Sequence, residues 1–215
     1  MYKRQVLDSF TCPEINPSLW TVSDDPNLAK INGKILMSPG QAQLSLSDPG
    51  TRIVDMFASL PEDVVGARVS MTIPDTAGSF FVASFGFTLG RPLDVFADTQ
   101  VGQVLVTKIG DSFELSISGQ NFGGVGRPNS RLKVFHSEVI PRGRTVEVWV
   151  RVDAERISLV FESGRTAVIL PKDLEVQTFT PAIHTVGFTA TGDEGAVIVE
   201  NLQVKSNAPE GLVLD

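Results

Sequence analysis

Apolar and polar residues alternate one by one along most of this chain, which is the period of a half-buried β-strand. The clearest run spans residues 145–152 and places four valines on one face: Val146, Val148, Val150 and Val152. Two shorter alternating runs follow at 156–161 and 166–170, each after a short turn segment. Short turns between alternating runs predict an antiparallel meander of three strands.

Ten further segments show the same alternation, with turn residues between them roughly every 8–14 residues. They are residues 29–37, 41–47, 52–59, 67–73, 80–89, 103–109, 113–118, 133–139, 185–191 and 195–205. Sustained helical periodicity is missing, and single helical turns are predicted only at 61–65 and 171–174, where a proline opens the segment. This spacing of strands is typical of an all-β sandwich or barrel.

The 215 residues fit one β domain, because β-sandwiches often exceed the usual ~100–200 residues and no linker-like segment interrupts the chain. We assign residues 1–206 to a single domain and 207–215 to a C-terminal tail, whose apolar end must pack on this chain or on a neighbour. Phenylalanine is frequent (13), whereas tyrosine (1) and tryptophan (2) are scarce. Phenylalanine mostly fills cores, so this usage disfavours an aromatic platform for sugars.

Charge and cysteine usage disfavour several classes of protein. The net charge of −7 argues against nucleic-acid binding, which needs clustered Lys and Arg. No stretch approaches the ~18 apolar residues of a membrane span, and residues 1–8 are not followed by the apolar run of a signal peptide. The single Cys12 has no internal disulfide partner and is expected to fill space near the first strand. We therefore expect no membrane insertion and no signal-dependent export.

Two terminal segments carry a family resemblance. The first contains Asp8-Ser9-Phe10 followed by Pro17-Ser18-Leu19-Trp20, and the second contains Val186-Gly187-Phe188-Thr189-Ala190 followed by Asn201-Leu202-Gln203-Val204. The first segment resembles the start of concanavalin A-like sandwiches, the superfamily of laminin-G domains, lectins and glucanases. The second resembles the final strand pair of the same superfamily. The resemblance implies a two-sheet antiparallel jelly roll. It leaves the ligand open, because this fold hosts lectins, hydrolases and virion components.

Residues that could carry catalysis are sparse. The glucanase branch of the superfamily has an E-x-D-x-x-E strand that sets two carboxylates on one face. The nearest segment here, residues 114–118, has serine where a carboxylate is required, so Glu114 is interpreted as a solvated strand residue. Glu147 and Glu162 are interpreted as surface charges, and His136 has no neighbouring triad partner in the sequence. We expect a protein without enzymatic activity.

Calcium is a possibility that the resemblance raises, because some members of the superfamily bind it. The candidate ligands are Asp24-Asp25 and Asp193-Glu194, two acidic pairs in predicted loops. Neither pair has the alternating spacing of a calcium loop, so turn-forming acids are the better interpretation. No cofactor is required by the sequence.

One Gly-rich segment has the chemistry of a sugar-binding loop. Its amides can bind hydroxyl groups, its glycine admits a ligand closely and its aromatic ring can stack; the candidates are Asn121, Phe122, Gly123 and Asn129. The alternative is a loop that only makes contact with a neighbour. Positive charge concentrates just beyond it, at Arg127, Arg131, Lys133, Arg142 and Arg144. These residues are either solvated strand ends or a patch for an acidic partner.

Three functions remain open at this point. The first hypothesis is a non-catalytic structural or attachment protein of a phage-like particle, in its head or tail, which binds other particle subunits, a second copy of itself or a cell-surface glycan. The location expected from this hypothesis is the virion. The alternatives are a stand-alone carbohydrate-binding module and a glycoside hydrolase or lyase.

Overall fold

The structure is a computed structural model that describes residues 3–8, 10, 14–22, 33–46, 52–61, 63–89, 99–122 and 133–206. Its strands are β1 (Lys3–Asp8), β2 (Thr21–Val22), β3 (Gly33–Ser38), β4 (Gln41–Leu46), β5 (Arg52–Ser59), β6 (Val64–Thr72), β7 (Phe80–Thr88), β8 (Thr99–Ile109), β9 (Ser112–Phe122), β10 (Lys133–Ile140), β11 (Val146–Val152), β12 (Ile157–Phe161), β13 (Thr166–Ile169), β14 (Thr185–Gly192) and β15 (Gly195–Ser206). One 3-10 helix covers Pro171–Leu174. In the described ranges no helix is long and apolar enough to cross a membrane.

These strands form two antiparallel sheets. Sheet A has eight strands in the order β13-β12-β11-β6-β15-β4-β3, with β1 pairing the second half of β15. Sheet B has seven strands in the order β10-β9-β8-β7-β14-β5-β2. Neighbours that are distant along the chain, such as β6 and β15 or β5 and β14, give the non-consecutive connections of a jelly roll.

The core lies between the sheets, and in strands such as β4, β7, β11 and β14 every second side chain points into it. An aromatic chain runs through it from the N-terminal segment to the middle of sheet B: Phe10, Trp20, Phe188, Phe85 and Phe87, with successive ring centroids 5.5–6.1 Å apart. The ring of Phe87 lies over Gly102 on the neighbouring strand, where a Cβ atom would come within 2.2 Å of it. The expectation that phenylalanines mainly fill the core is therefore confirmed for this set.

The sequence predicted most of this architecture. The meander β11-β12-β13 is antiparallel and buries the four valines of β11, as expected. The proline turn at 171–174 is the 3-10 helix. The single turn predicted at 61–65 is found only in part: the Val64 N–H donates to the Pro61 carbonyl at 3.3 Å, but Val64 and Val65 already belong to β6. Strands β1 and β2 were not predicted, and the tail at 207–215 and Cys12 lie outside the described residues.

Candidate functional site

The outer face of sheet B contains two glycines side by side. Gly86 of β7 and Gly187 of β14 are direct cross-strand neighbours, and both point away from the core because the residues flanking them are buried. On either side of this pair, the same row continues with Gln103 on β8 and Phe57 on β5. The row crosses four strands and has no side chains in its middle.

This row is the floor of a groove of about 430 Å³. At Gly86 an added Cβ would meet no atom closer than the Cγ of Gln103, at 3.9 Å, so the floor is open above it. Phe57 forms the wall at one end and keeps 40% of its surface exposed. From Phe57 to Gln103 the groove spans three strand spacings, about 14 Å.

Polar side chains line the groove above and below the glycine row. They are Asp55, Ser59, Ser84, Thr88, Thr185 and Thr189, and Gln103 adds an amide at the end of the row itself. The hydroxyls of Thr88 and Thr185 lie 2.6 Å apart across the two strands and share a hydrogen bond. Hydroxyl, amide and carboxylate oxygens beside an exposed ring can bind a ligand that is apolar on its faces and polar at its edges.

The predicted sugar loop begins close to this groove. Asn121 and Phe122 form the end of β9, where their backbones pair with Gln100 and Thr99. The next residue along β8, Val101, lines the groove. The other two members of the predicted loop, Gly123 and Asn129, lie outside the described residues.

The described residues of the predicted basic patch have different surroundings in the fold. Arg142 lies 3.0 Å from Asp111 and 3.9 Å from Asp75, so its charge is balanced within the chain. Lys133 donates a hydrogen bond to the carbonyl of Asp173. Arg144 is exposed at the start of the β11 segment, and Arg127 and Arg131 lie outside the described residues.

Among the candidate metal ligands, Asp193 has structural partners. Asp193 accepts a hydrogen bond from the backbone N–H of Phe80 at 2.8 Å and another from Ser79 at 3.3 Å, which ties the β14–β15 turn to β7. Across the part of the chain that the structure describes, no three His, Cys, Asp or Glu side chains are grouped as a metal site. Asp24 and Asp25 are not among those residues.

The candidate catalytic residues are dispersed. Glu114 lies on the outer face of β9 and accepts a hydrogen bond from Ser137. Between Glu114 and Asp55 lie four strand spacings, about 19 Å. His136 lies 3.5 Å from Glu138, a side chain that also contacts Arg165 at the edge where the two sheets meet.

Glu147 is more than the surface charge that the sequence suggested. It lies on the outer face of sheet A, pairs with Arg68 and accepts a hydrogen bond from the indole N–H of Trp149 at 2.9 Å. The guanidinium of Arg68 lies 4.7 Å from the centre of the Trp149 ring. We call these three residues the Trp149 cluster.

Sequence reasoning missed the residues that form the groove, namely Phe57, Gly86, Gly187 and Gln103. One signal was present: Phe85-Gly86-Phe87 and Val186-Gly187-Phe188 each place a glycine in the middle of an alternating strand. A glycine inside a strand often marks a place where a ligand or another backbone approaches closely. The sequence does not show that Gly86 and Gly187 lie side by side, because it does not show that β7 and β14 are neighbours.

No protein-family model matches the chain, and no curated protein matches it. Solved structures do resemble it over nearly its whole length. The CBM2 module of the evolved Dit protein of Lactobacillus casei BL23 phage J-1 has a TM-score of 0.64 and 10% identity, covering 98% of this chain and 99% of the module. The laminarinase catalytic domain of Thermotoga petrophila has a TM-score of 0.59 and 10% identity, covering 97% and 100%.

A third similar structure is a larger enzyme. The endo-β-galactosidase of Clostridium perfringens that releases GlcNAcα1-4Gal has a TM-score of 0.61 and 11% identity over 95% of this chain. This chain spans 62% of the length of that enzyme. At these identities the similarity shows the fold alone, and that fold is the two-sheet antiparallel jelly-roll sandwich that the sequence resemblance implied.

Proposed function

We propose that this chain is a non-catalytic carbohydrate-binding jelly roll that holds a glycan in the groove of sheet B. The observation that carries the proposal is the row Gln103, Gly86, Gly187 and Phe57. A sugar ring has apolar C–H faces and hydroxyl groups at its edge. The bare floor admits the ring to the sheet surface, the half-exposed Phe57 provides a face for stacking, and the surrounding hydroxyls and amide bind the edge.

The dimensions of the groove support an oligosaccharide rather than a single sugar. The groove is open at the surface of the sheet and about 14 Å long, because it crosses three strand spacings. Its polar side chains occur on both sides of the glycine row on β5, β7 and β14, and Gln103 of β8 lies in the row itself. A chain of linked rings that lies across the strands would contact all four.

The positions of the carboxylates support binding rather than hydrolysis. Glycosidases use two carboxyl groups about 5–9.5 Å apart. On the described outer face of sheet B, Asp55 and Glu114 are separated by about 19 Å. We therefore expect no release of reducing sugars from polysaccharides. Turnover that disappears in Glu114→Gln would instead favour the hydrolase or lyase hypothesis.

For the biological setting we propose a structural or attachment component of a phage-like particle, with the alternative of a stand-alone binding module. The end-to-end similarity to a module of a phage Dit protein supports this setting. A tagged copy made in its native host is expected to sediment with particles. A tagged protein that binds glycans but never co-sediments with particles would favour the stand-alone module.

The binding proposal is tested by a glycan array followed by calorimetry on the glycans that bind. Phe57→Ala is expected to weaken binding about tenfold, since one stacked ring contributes about 1.4 kcal/mol or more. The matched control is Phe80→Ala. Phe80 is on the same face of sheet B and is 49% exposed, but it does not line the groove.

Two results would contradict the proposal. One is an array on which the folded protein binds no glycan. The other is binding that Phe57→Ala and Phe80→Ala weaken equally, because a ligand held in the groove contacts only the first of these rings.

A further inference from the structure

We infer that Ser118 is a positioning residue of the groove, which fixes the amide of Gln103 when a glycan binds. This inference rests on the carbohydrate-binding role proposed above and adds a residue to that site. Ser118 lies on β9 directly opposite Gln103 of β8, and Gln103 lines the groove. Directly opposite residues share a face of the sheet, so the row that forms the groove floor continues from Gln103 to Ser118.

The hydroxyl of Ser118 is buried and unpaired. The residue is 0% exposed although it lies on the outer face of sheet B, and among the described residues its Oγ atom has no hydrogen-bond partner. A buried hydroxyl without a partner lowers stability, because the group has lost its water without gaining a protein acceptor or donor. Packing of the ligand-free fold therefore gives no reason for a serine at this position.

Gln103 lies close enough to supply the missing partner. Directly opposite residues of an antiparallel pair have Cβ atoms about 4.5–5.5 Å apart. The Gln103 amide stands at the end of a flexible stem, so rotation of that stem brings it within hydrogen-bond distance of Ser118 Oγ. The same stem borders the floor, because its Cγ lies 3.9 Å from the place where a Cβ on Gly86 would be. Gln103 thus lies between the open floor and the buried hydroxyl.

A glycan in the groove would favour the hydrogen bond between these two side chains. A glutamine amide has a carbonyl that accepts and an NH2 group that donates, so it can bind a sugar hydroxyl at one end and Ser118 at the other. In the free protein, fixing this long side chain for a single hydrogen bond costs conformational entropy. When a glycan already holds the amide, the same cost is shared by two hydrogen bonds. The pairing of Ser118 then adds to the affinity for the glycan.

The test measures both affinity and stability of Ser118→Ala. In calorimetry with the oligosaccharide that binds most tightly on the glycan array, affinity is expected to fall about three- to tenfold, the contribution of one hydrogen bond. The midpoint of thermal unfolding is expected to stay the same or to rise, because the removed hydroxyl is unpaired in the free protein. A lower midpoint with unchanged affinity would indicate a purely structural serine and would overturn the inference.

A double-mutant cycle tests whether Ser118 acts through Gln103. Gln103→Ala is expected to weaken glycan binding by itself. Adding Ser118→Ala to that variant is expected to cause no further loss, because the serine then has no amide to position. Losses that multiply in the double variant would mean that the two side chains act independently, and they would overturn the positioning role.

Ser116→Ala is the matched control. Ser116 lies two positions away on the same face of β9, opposite Leu105 and Ser137, and it is not among the residues that line the groove. Its substitution is expected to leave glycan affinity unchanged. An equal loss of affinity in Ser116→Ala would assign the effect to β9 as a whole and would overturn the role of Ser118.

The inference and the proposed function fail in different ways. Glycan binding that Gln103→Ala weakens and Ser118→Ala leaves intact would overturn the inference and leave the proposed function standing. An absence of glycan binding by the folded wild-type protein would overturn the proposed function itself.

Discussion

Two aromatic side chains on opposite faces of the sandwich are almost equally exposed. Phe57, on the outer face of sheet B, is 40% exposed, and Trp149, on the outer face of sheet A, is 39% exposed. Each lies on an outward position of a strand, and neither can be distinguished from the other by exposure alone. Their neighbours differ.

Trp149 is enclosed by charged neighbours, whereas Phe57 faces a space. The ring of Trp149 has the Arg68 guanidinium over it and donates its N–H to Glu147, which also pairs with Arg68. Phe57 is followed in its row by two glycines, and the volume above them is the groove. The two rings differ in the space that their neighbours leave: the side of Phe57 facing the glycines borders the groove and is open to a ligand. The face and the edge of the Trp149 ring are already occupied by Arg68 and Glu147, so we expect Trp149 to act in stability rather than in binding.

Filling the glycine floor is expected to have the largest effect. In Gly86→Val the new side chain projects into the groove, and its Cβ meets no atom closer than 3.9 Å. Glycan affinity is expected to fall at least about a hundredfold, or about 2.7 kcal/mol, because the ligand and the side chain would occupy the same space. The change is measured by calorimetry, with thermal unfolding to confirm that the sheet is retained.

Thr107→Val is the control for the Gly86 variant. Thr107 is on an outward position of β8 and is not among the residues that line the groove. Its substitution is expected to leave glycan affinity unchanged. Undiminished binding by a folded Gly86→Val protein would place the ligand elsewhere and remove the distinction between the two faces.

Truncation of the two aromatic residues is expected to separate binding from stability. Trp149→Ala should lower the free energy of unfolding by about 1–2 kcal/mol, since it removes a cation–π contact and a partly buried ring. It should leave glycan affinity unchanged. Phe57→Ala should do the opposite, with about tenfold weaker binding and a loss of less than about 1 kcal/mol in stability. Urea unfolding and calorimetry measure the two quantities on the same samples.

The reverse pattern would contradict this comparison. If Trp149→Ala weakened glycan binding while Phe57→Ala did not, the ligand would be assigned to sheet A and the Trp149 cluster would be its site.

The smallest effect is expected when the charge of Glu147, which accepts the Trp149 N–H, is removed. Glu147→Gln retains an oxygen that can accept the indole N–H but loses the ion pair with Arg68. Stability should fall by about 0.2–1 kcal/mol at low salt, the range of partly exposed ion pairs. The loss should shrink at 1 M NaCl, and the exposed Glu162→Gln should show no such loss. An effect of Glu147→Gln that salt does not change would mean that the charge has no part in it.

Much of the fold follows from the sequence, and particular strands show why. In β11 each valine alternates with a polar residue, so the inward face is evident without knowledge of the partners. The bounds of β5 were predicted without error for the same reason. The turn at 61–65 was predicted too long: Pro61 does accept the Val64 N–H, but pairing with Ser206 places Val64 at the start of β6. A tertiary contact there outweighs a local preference.

The groove was much less predictable. The sequence pointed to the segment that begins at Asn121, because Asn, Gly and an aromatic occur together there. The groove instead unites Phe57, Gly86, Gln103 and Gly187, which come from four strands far apart along the chain. Each of them is an ordinary outward residue in its own strand, so none stands out alone.

The sequence by itself determined the alternation, and with it which side chains of each strand face the core and which face outward. It also predicted the meander, and the family resemblance of its terminal motifs implied the jelly roll. Only the tertiary structure decided that β7 and β14 are neighbours and that Phe57 lies beside Gly187, because side-chain alternation specifies a face but not a cross-strand partner. The groove exists because of that pairing. The contrast between Phe57, which borders the groove, and Trp149, whose ring is covered by Arg68, likewise depends on which strands are neighbours.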